Sequence, residues 1–271
     1  MVRIGILGCG FIGTTIAGSL QDMEGVDLIP LFDVDYDMTA SLASKIRMAR
    51  VFHPRELEDF IESSDLVVEA ASQEAVSEIL PDVVSRGKDV MILSVGALVD
   101  DDLWNLIKSK AKENGCKVMV PSGAIAGMDG ITSASIADID CITLTVRKPP
   151  AGLSLPHELS HISDEIKEAK GPVTIFDGSA REAVSLFPKN VNVAATISLA
   201  GIGFDRTKVK ILADPSVTRN QHQVEVRGRF GEMKIKMLNQ PSTTNPRTSY
   251  MAPLSAIATL RKLLTGIHIG N

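Results

Sequence analysis

The segment Val2-Arg3-Ile4-Gly5-Ile6-Leu7-Gly8-Cys9-Gly10-Phe11-Ile12-Gly13 joins a short apolar run directly to the glycine spacing GxGxxG. The apolar run is typical of a buried strand, and Phe11–Leu20 has the spacing of a helix. In such a unit the first glycine permits a tight turn, the second lets the backbone approach a pyrophosphate, and the third lets helix and strand pack closely. N–H groups at the start of the helix face the anion. The segment therefore predicts a dinucleotide-binding βαβ unit whose cofactor contacts are Gly8, Gly10, Phe11, Ile12 and Gly13.

Asp33 follows the next predicted strand, Val26–Phe32, and lies 20 residues after Gly13. An acid at this position accepts hydrogen bonds from both ribose hydroxyls and repels a 2′-phosphate. The segment Val34-Asp35-Tyr36 offers no arginine to attract such a phosphate. We therefore expect NAD in preference to NADP, with NADP as the alternative. The alternative interpretation of the GxGxxG segment is a glycine-rich turn that binds no dinucleotide. The strand before it, the helix after it and the acid at Asp33 make this alternative less favoured.

Strand-like and helix-like segments alternate up to about residue 120, which predicts a doubly wound parallel sheet in an α/β protein. The predicted strands after the first two are Asp65–Ala70, Asp89–Leu93 and Lys117–Val120, and the predicted helices include Gln73–Arg86 and Asp100–Asn114. These strands are almost wholly apolar, as is typical of parallel strands covered on both faces. Residues 1–122 are accordingly predicted to form a Rossmann domain.

The second half alternates apolar and polar residues with a period of two, which indicates a mixed or antiparallel sheet with one wet face. The segments with this alternation are Cys141–Val146, Lys208–Leu212, Gln223–Val226 and Glu232–Met237. Helical patterns at Pro156–Ala169 and Asn190–Ala200 would cover the other face. We predict a second α/β domain over residues 123–246, and a helix within residues 247–271 that packs back on the first domain.

Composition and charge exclude several classes of protein. The chain has 271 residues, a net charge of -5 and no run of Lys or Arg, which argues against a nucleic-acid partner. No apolar run is long enough to cross a bilayer, and the N terminus lacks the features of a signal peptide. Cys9, Cys116 and Cys141 lie far apart, as in proteins of a reducing compartment. We expect a cytoplasmic protein with no membrane partner.

The segment His157-Glu158-Leu159-Ser160-His161 matches the zinc-binding pattern HExxH. In zinc enzymes both histidines lie on one face of an α-helix and a third ligand completes the site. Here the segment follows a loop rich in Pro and Gly and continues into the polar residues 163–168. We interpret it as a polar helix surface and expect no metal.

Two polar clusters in the second half are candidates for the chemistry. In Phe187–Asn192, a lysine and two amides precede an apolar helix, where amides cap the helix or bind a carboxylate. Asp214–His222 packs polar groups between two predicted strands. His222 is the only histidine in such a cluster, and an ordinary pKa near 6.5 suits proton transfer. A turn or surface histidine is the alternative interpretation.

Seven segments together resemble the L-aspartate dehydrogenases and span nearly the whole chain in order. They are Gly8–Gly13, Ser94–Leu98, Ser122–Ile125, Gly178–Ala183, Phe187–Asn192, Ala213–His222 and Asn245–Ser249. The resemblance implies oxidation of L-aspartate at Cα to iminoaspartate, which hydrolyses to oxaloacetate and ammonia, with NAD(P) as the acceptor. It also implies a homodimer that uses the second domain, a role in NAD biosynthesis and a functional link to a quinolinate synthase.

The resemblance also assigns roles to individual residues. By motif match, the active-site histidine is His222, and further cofactor contacts are Ala124 and Asn192, with Asn190 as a less certain neighbour. A substrate with two carboxylates needs cationic partners, and Lys189 and Arg219 are the candidates. The alternatives are another small-substrate enzyme, similar to homoserine dehydrogenase or dihydrodipicolinate reductase, and a non-catalytic NAD(H) sensor.

Overall fold

The computed structural model describes residues 1–150, 153, 155–187, 192–240, 242 and 248–270. The chain divides into two compact units. The first contains Met1–Gly123 and Ala252–Ile269, and the second contains Ala124–Met251. Among the described residues, no helix combines the length and the apolar character needed to cross a membrane.

The first unit is built on a six-stranded sheet in which every pairing is parallel. Its strands are β1 (Val2–Leu7), β2 (Val26–Phe32), β3 (Ala49–Val51), β4 (Leu66–Glu69), β5 (Asp89–Ile92) and β6 (Val118–Met119). The order β3-β2-β1-β4-β5-β6 reverses direction between β1 and β4. In doubly wound sheets this reversal opens a crevice at the carboxyl ends of the strands, where ligands bind. The predicted doubly wound parallel sheet is confirmed.

Helices cover both faces of this sheet because their apolar residues recur at helical spacing. They are α1 (Phe11–Leu20), α2 (Tyr36–Ala43), α3 (Leu57–Glu62), α4 (Gln73–Ser85) and α5 (Asp101–Asn114). The Asp100 side chain caps α5 by accepting hydrogen bonds from two backbone N–H groups, and Gly115 ends it with a φ of 70°. Ile16 and Leu20 of α1 share one buried core with Ile4, Ile6 and Leu31 of the sheet.

The second unit contains a five-stranded mixed sheet in the order β11-β10-β7-β9-β8. The strands are β7 (Ile139–Lys148), β8 (Val173–Ser179), β9 (Thr207–Ala213), β10 (Gln221–Gly228) and β11 (Gly231–Leu238). β7 and β9 are parallel, whereas the other pairings are antiparallel. The predicted mixed sheet is therefore confirmed. β8 was not predicted, because Asp177 and Gly178 interrupt its apolar pattern.

Helices of the second unit are α6 (Met128–Ala134), α7 (Ser163–Glu168), α8 (Ala180–Leu186) and α9 (Asn192–Ala200). α8 and α9 contact β9, and Ile142, Leu144 and Val224 are buried on one face of the sheet. The long helix expected over Pro156–Ala169 is instead a 3-10 helix at His157–Ile162 followed by the short α7. The final helix, α10 (Met251–Thr265), places Ala256 and Leu260 in the core of the first unit.

Candidate active site

The three glycines of the first turn have different surroundings. Gly8 has a φ of 100°, in the left-handed region, and a Cβ there would lie 2.7 Å from backbone atoms of Ala71. A Cβ at Gly13 would overlap the carbonyl oxygen of Gly8, so glycine is required for α1 to approach the turn. A Cβ at Gly10 would meet no atom within 4 Å. The turn is therefore closed on the protein side and open at Gly10, where an anion would face the N terminus of α1.

The Asp33 carboxylate links the glycine turn to the end of β2. Its Oδ2 accepts a hydrogen bond from the N–H of Cys9 at 2.7 Å, and its Oδ1 accepts one from the N–H of Asp35 at 3.0 Å. Asp33 also lines a cleft of about 380 Å³ together with Gly8, Gly10 and Ala71. An open glycine turn, a helix N terminus and a carboxylate on one cleft fit the phosphates and ribose of a dinucleotide.

Glu69, the last residue of β4, was not identified as a functional residue from the sequence. It is fully buried, and Oε1 accepts hydrogen bonds from the Ala71 N–H at 2.8 Å and the Ser94 hydroxyl at 2.7 Å. Oε2 accepts from the N–H groups of Leu93 at 3.1 Å and Ser94 at 2.8 Å. Burial raises the pKa of this carboxyl, and the hydrogen bonds act in the opposite direction. Glu69 thus holds together the segments that follow β4 and β5 at the carboxyl edge of the sheet.

His222, near the start of β10, is buried in the second unit with 7% of its surface exposed. Its Nδ1 lies 3.0 Å from the Asn239 amide nitrogen, which also donates to the carbonyl oxygen of Ala124 at 2.9 Å. The Ala124 carbonyl fixes the orientation of the amide, because turning the amide over would set two oxygens against each other. The amide nitrogen only donates, so Nδ1 of His222 is the acceptor and its ring proton resides on Nε2.

Lys148 is a second buried polar group of this region and was also missed by the sequence analysis. It ends β7, only 6% of its surface is exposed, and it lies on the same face as Val146, which pairs with His222. Burial lowers the pKa of Lys148 to about 8. Burial and, second, the charge of Lys148 lower the pKa of His222 to about 4. The imidazole is therefore neutral at pH 7.

Of the other site residues predicted in the second half of the chain, the structure describes some and leaves others out. Asn192 is the exposed first residue of α9, and Arg219 is half-buried in the turn before β10. Lys189 and Asn190 lie outside the described residues. The Ala124 carbonyl oxygen accepts a hydrogen bond from the Asn239 amide, which also contacts His222.

Asp214, in the predicted cluster before His222, shapes the turn that follows β9. Its Oδ1 accepts from the Ser216 hydroxyl at 2.6 Å and from the Ser216 N–H at 2.9 Å, and its Oδ2 accepts from Arg147 at 3.0 Å. These hydrogen bonds, that of the Ser216 hydroxyl first, lower the pKa of the Asp214 carboxyl. Asp214 therefore has a structural role in the turn that leads to His222.

The HExxH segment does not adopt the geometry of a zinc site. It forms a 3-10 helix, in which residues four apart point in different directions because each turn contains three residues. Nδ1 of His161 lies 3.1 Å from the carbonyl oxygen of Glu158. Within the described part of the chain, no group of three His, Cys, Asp or Glu side chains is placed to hold a metal ion.

Two sequence profiles match the chain, one in each half. The profile described as "Homoserine dehydrogenase, NAD binding domain" matches residues 8–121, and that described as "Aspartate dehydrogenase, C-terminal" matches residues 129–263. The L-aspartate dehydrogenase of Methanosarcina acetivorans is 47% identical over 273 residues and covers 100% of both chains. That of Nitrosopumilus maritimus is 38% identical over 282 residues, again covering 100% of both chains. The chain belongs to the L-aspartate dehydrogenase family.

Solved structures agree with this membership of the L-aspartate dehydrogenase family. The aspartate dehydrogenase of Thermotoga maritima is similar with a TM-score of 0.77 and 28% identity, and the match covers 100% of both chains. The myo-inositol dehydrogenase of Lactobacillus casei shares the fold, with a TM-score of 0.58 and 14% identity over 98% of this chain and 86% of that chain. The resemblance inferred from the seven segments is therefore confirmed.

Proposed function

We propose that this protein oxidises L-aspartate at Cα to iminoaspartate, with NAD(P) as the hydride acceptor. The observation that carries the proposal is the full-length similarity to L-aspartate dehydrogenases of 37–47% identity. The open glycine turn and the buried pair Lys148 and His222 supply the kinds of group that such a reaction needs. Released iminoaspartate then hydrolyses to oxaloacetate and ammonia.

The first unit would hold the cofactor. Gly8, Gly10 and Gly13 would lie along the pyrophosphate together with the N-terminal residues Phe11 and Ile12 of α1. The Asp33 carboxylate would accept hydrogen bonds from the ribose hydroxyls, which favours NAD over NADP. When bound, the cofactor supplies a nicotinamide ring that accepts a hydride.

The second unit would supply the groups at the substrate, with His222 at the active site. Ala124 and Asn192 are proposed cofactor contacts on the basis of their motif matches. Lys189 and Arg219 are proposed partners of the two substrate carboxylates, since each offers a positive charge. Family resemblance further supports a cytoplasmic homodimer and a functional link to a quinolinate synthase that consumes iminoaspartate.

A substrate panel tests the proposal. Purified protein is incubated at alkaline pH with NAD⁺ and, in turn, L-aspartate, L-homoserine, L-glutamate and L-malate, and NADH is followed by absorbance. Turnover with L-aspartate alone is the expected result. Homoserine is included because the N-terminal profile is that of a homoserine dehydrogenase domain. Turnover of another substrate without aspartate would refute the substrate assignment, and tight NADH binding with no turnover would indicate a sensor.

A further inference from the structure

We propose that Asn239 is a positioning residue whose side-chain amide holds the imidazole of His222 in one tautomer and one ring orientation. The carbonyl oxygen of Ala124 is the anchor that holds the amide itself. The inference rests on the proposed function, because the role of His222 at the active site belongs to that proposal. Asn239 lies outside the seven segments that carry the family resemblance, so its role is additional to those that the resemblance assigns.

Strand pairing brings Asn239 beside His222. His222 on β10 is opposite Met237 on the antiparallel β11, and Asn239 follows Met237 by two residues. The backbone N–H of Asn239 donates to the carbonyl oxygen of Asn220 at 3.0 Å, which continues the pairing of the two strands by one residue. Residues two apart on a strand share a face, so Asn239 is a diagonal neighbour of His222 on the same face of the sheet.

The amide nitrogen of Asn239 makes two contacts. It donates to the Ala124 carbonyl oxygen at 2.9 Å and lies 3.0 Å from Nδ1 of His222. An amide nitrogen has two hydrogens, so each contact can use one of them. The Ala124 carbonyl only accepts, and this fixes which end of the amide faces the ring. Asn239 and His222 are 4% and 7% exposed, so water competes little for these hydrogen bonds.

The contact with the amide selects one state of the imidazole. If Nδ1 carried a proton, two N–H groups would face each other, and a doubly protonated ring would meet the same conflict. Turning the ring over would take Nδ1 away from the amide and leave a buried N–H without an acceptor. The neutral ring with its proton on Nε2 is the state that satisfies the amide. The other ring nitrogen is therefore kept as an N–H donor.

The side chain at position 239 must supply two hydrogens to fulfil this role. Aspartate has the same shape as asparagine but an ionised carboxylate only accepts hydrogen bonds, and leucine has a similar size with no polar hydrogen. Asn239→Asp would set an oxygen against the Ala124 carbonyl and would be satisfied by a proton on Nδ1 of His222. Asn239→Leu would leave both Nδ1 and the Ala124 carbonyl without this donor. The two variants thus disturb the ring in different ways.

Nitrogen-15 NMR of the full-length protein labelled in histidine tests the contact directly, because it reports which ring nitrogen carries the proton. The His222 signals are assigned by their loss in His222→Asn. At neutral pH the wild-type ring should carry its proton on Nε2, and in Asn239→Asp a proton should be found on Nδ1. A wild-type ring with its proton on Nδ1, or an Asn239→Asp ring whose Nδ1 stays unprotonated, would overturn the proposal.

Steady-state kinetics test the consequence for the reaction. Asn239→Asp and Asn239→Leu should each lower kcat with L-aspartate by about 10–10³-fold, because the ring is no longer held in one tautomer. NADH affinity should stay close to that of the wild type, since the glycine turn lies in the first unit. The matched control, Asn114→Asp, changes an exposed asparagine at the end of α5 and should leave kcat unchanged.

A double-mutant cycle separates positioning of the ring from a general structural effect. If Asn239 acts through the imidazole, Asn239→Leu should lower kcat strongly in the wild type and hardly at all in His222→Ala. An equal loss in both backgrounds would mean that Asn239 acts independently of His222 and would overturn the proposal. A folded Asn239→Leu enzyme with the kcat of the wild type would also overturn it, with folding judged by its Tm and by NADH affinity.

The NMR measurement on the wild-type protein decides the case in which the variants do not fold, because it needs no substitution at Asn239. It also separates this proposal from the proposed function. If the wild-type enzyme turns over no aspartate, the proposed function fails, whereas the position of the proton on His222 still shows whether Asn239 fixes the ring.

Discussion

The Asp33 carboxylate has a structural role in its turn, and we propose that it also selects the cofactor. Its two oxygens each accept one backbone N–H, from Cys9 and Asp35, and a carboxylate has acceptor sites left for ribose hydroxyls. We expect Asp33→Ser to raise KM for NAD about tenfold and to lower KM for NADP, because the charge that repels a 2′-phosphate is gone. Steady-state kinetics with both cofactors measure this change.

The control for Asp33→Ser is Asp37→Ser, because Asp37 is the second residue of α2 and its side chain is exposed. That variant should leave the ratio of NAD to NADP efficiency unchanged. An Asp33→Ser enzyme that still discriminates against NADP as strongly as the wild type would contradict the assigned role.

The turn between β1 and α1 has space for an added methyl group at Gly10 but not at Gly13. Gly13→Ala places a Cβ onto the Gly8 carbonyl oxygen, so α1 must move away from β1. We expect a loss of about 1–3 kcal/mol of unfolding free energy. Gly10→Ala meets no protein atom and should change stability by less than about 0.5 kcal/mol.

Cofactor binding distinguishes these two glycine variants further. A methyl group at residue 10 points into the space expected for the pyrophosphate, so Gly10→Ala should weaken NADH binding although the protein stays stable. Urea unfolding and NADH fluorescence titration measure the two effects separately. If Gly13→Ala were as stable as the wild type, the packing role of Gly13 would be wrong. If Gly10→Ala bound NADH as tightly as the wild type, the pyrophosphate would not lie at Gly10.

For the whole molecule, burial of His222 predicts a loss of stability in acid. Its pKa is about 4 in the fold against an ordinary 6.5, so the unfolded chain binds a proton that the folded chain excludes. Unfolding free energy should therefore fall as pH decreases from about 6.5 to about 4, by about 3 kcal/mol from this residue. Urea unfolding at pH 7 and pH 4.5, followed by circular dichroism, measures the difference.

His222→Asn should reduce that pH dependence, because the variant has no ring to protonate. The matched control is His268→Asn, since His268 is exposed near the end of the chain and its substitution should leave the pH dependence as in the wild type. An unchanged pH dependence in His222→Asn would mean that the ring is accessible to protons in the folded protein.

Much of the fold was predictable because its causes are local. The alternation of strand-like and helix-like segments up to about residue 120 predicted a doubly wound sheet, and period-two alternation predicted the mixed sheet. β8 escaped detection because Asp177 and Gly178 break its pattern. The long helix expected over Pro156–Ala169 is instead a 3-10 helix followed by a short α-helix, which the spacing of its apolar residues did not reveal.

The sequence by itself determined the family, the fold class and the residues of the glycine turn, since all of these depend on short-range patterns. Only the tertiary structure decided the surroundings of His222. Asn239 and Lys148 lie 17 and 74 residues from it along the chain, and strand pairing across the sheet places them near its ring. Burial and a fixed hydrogen bond, which no local pattern encodes, then keep the imidazole neutral.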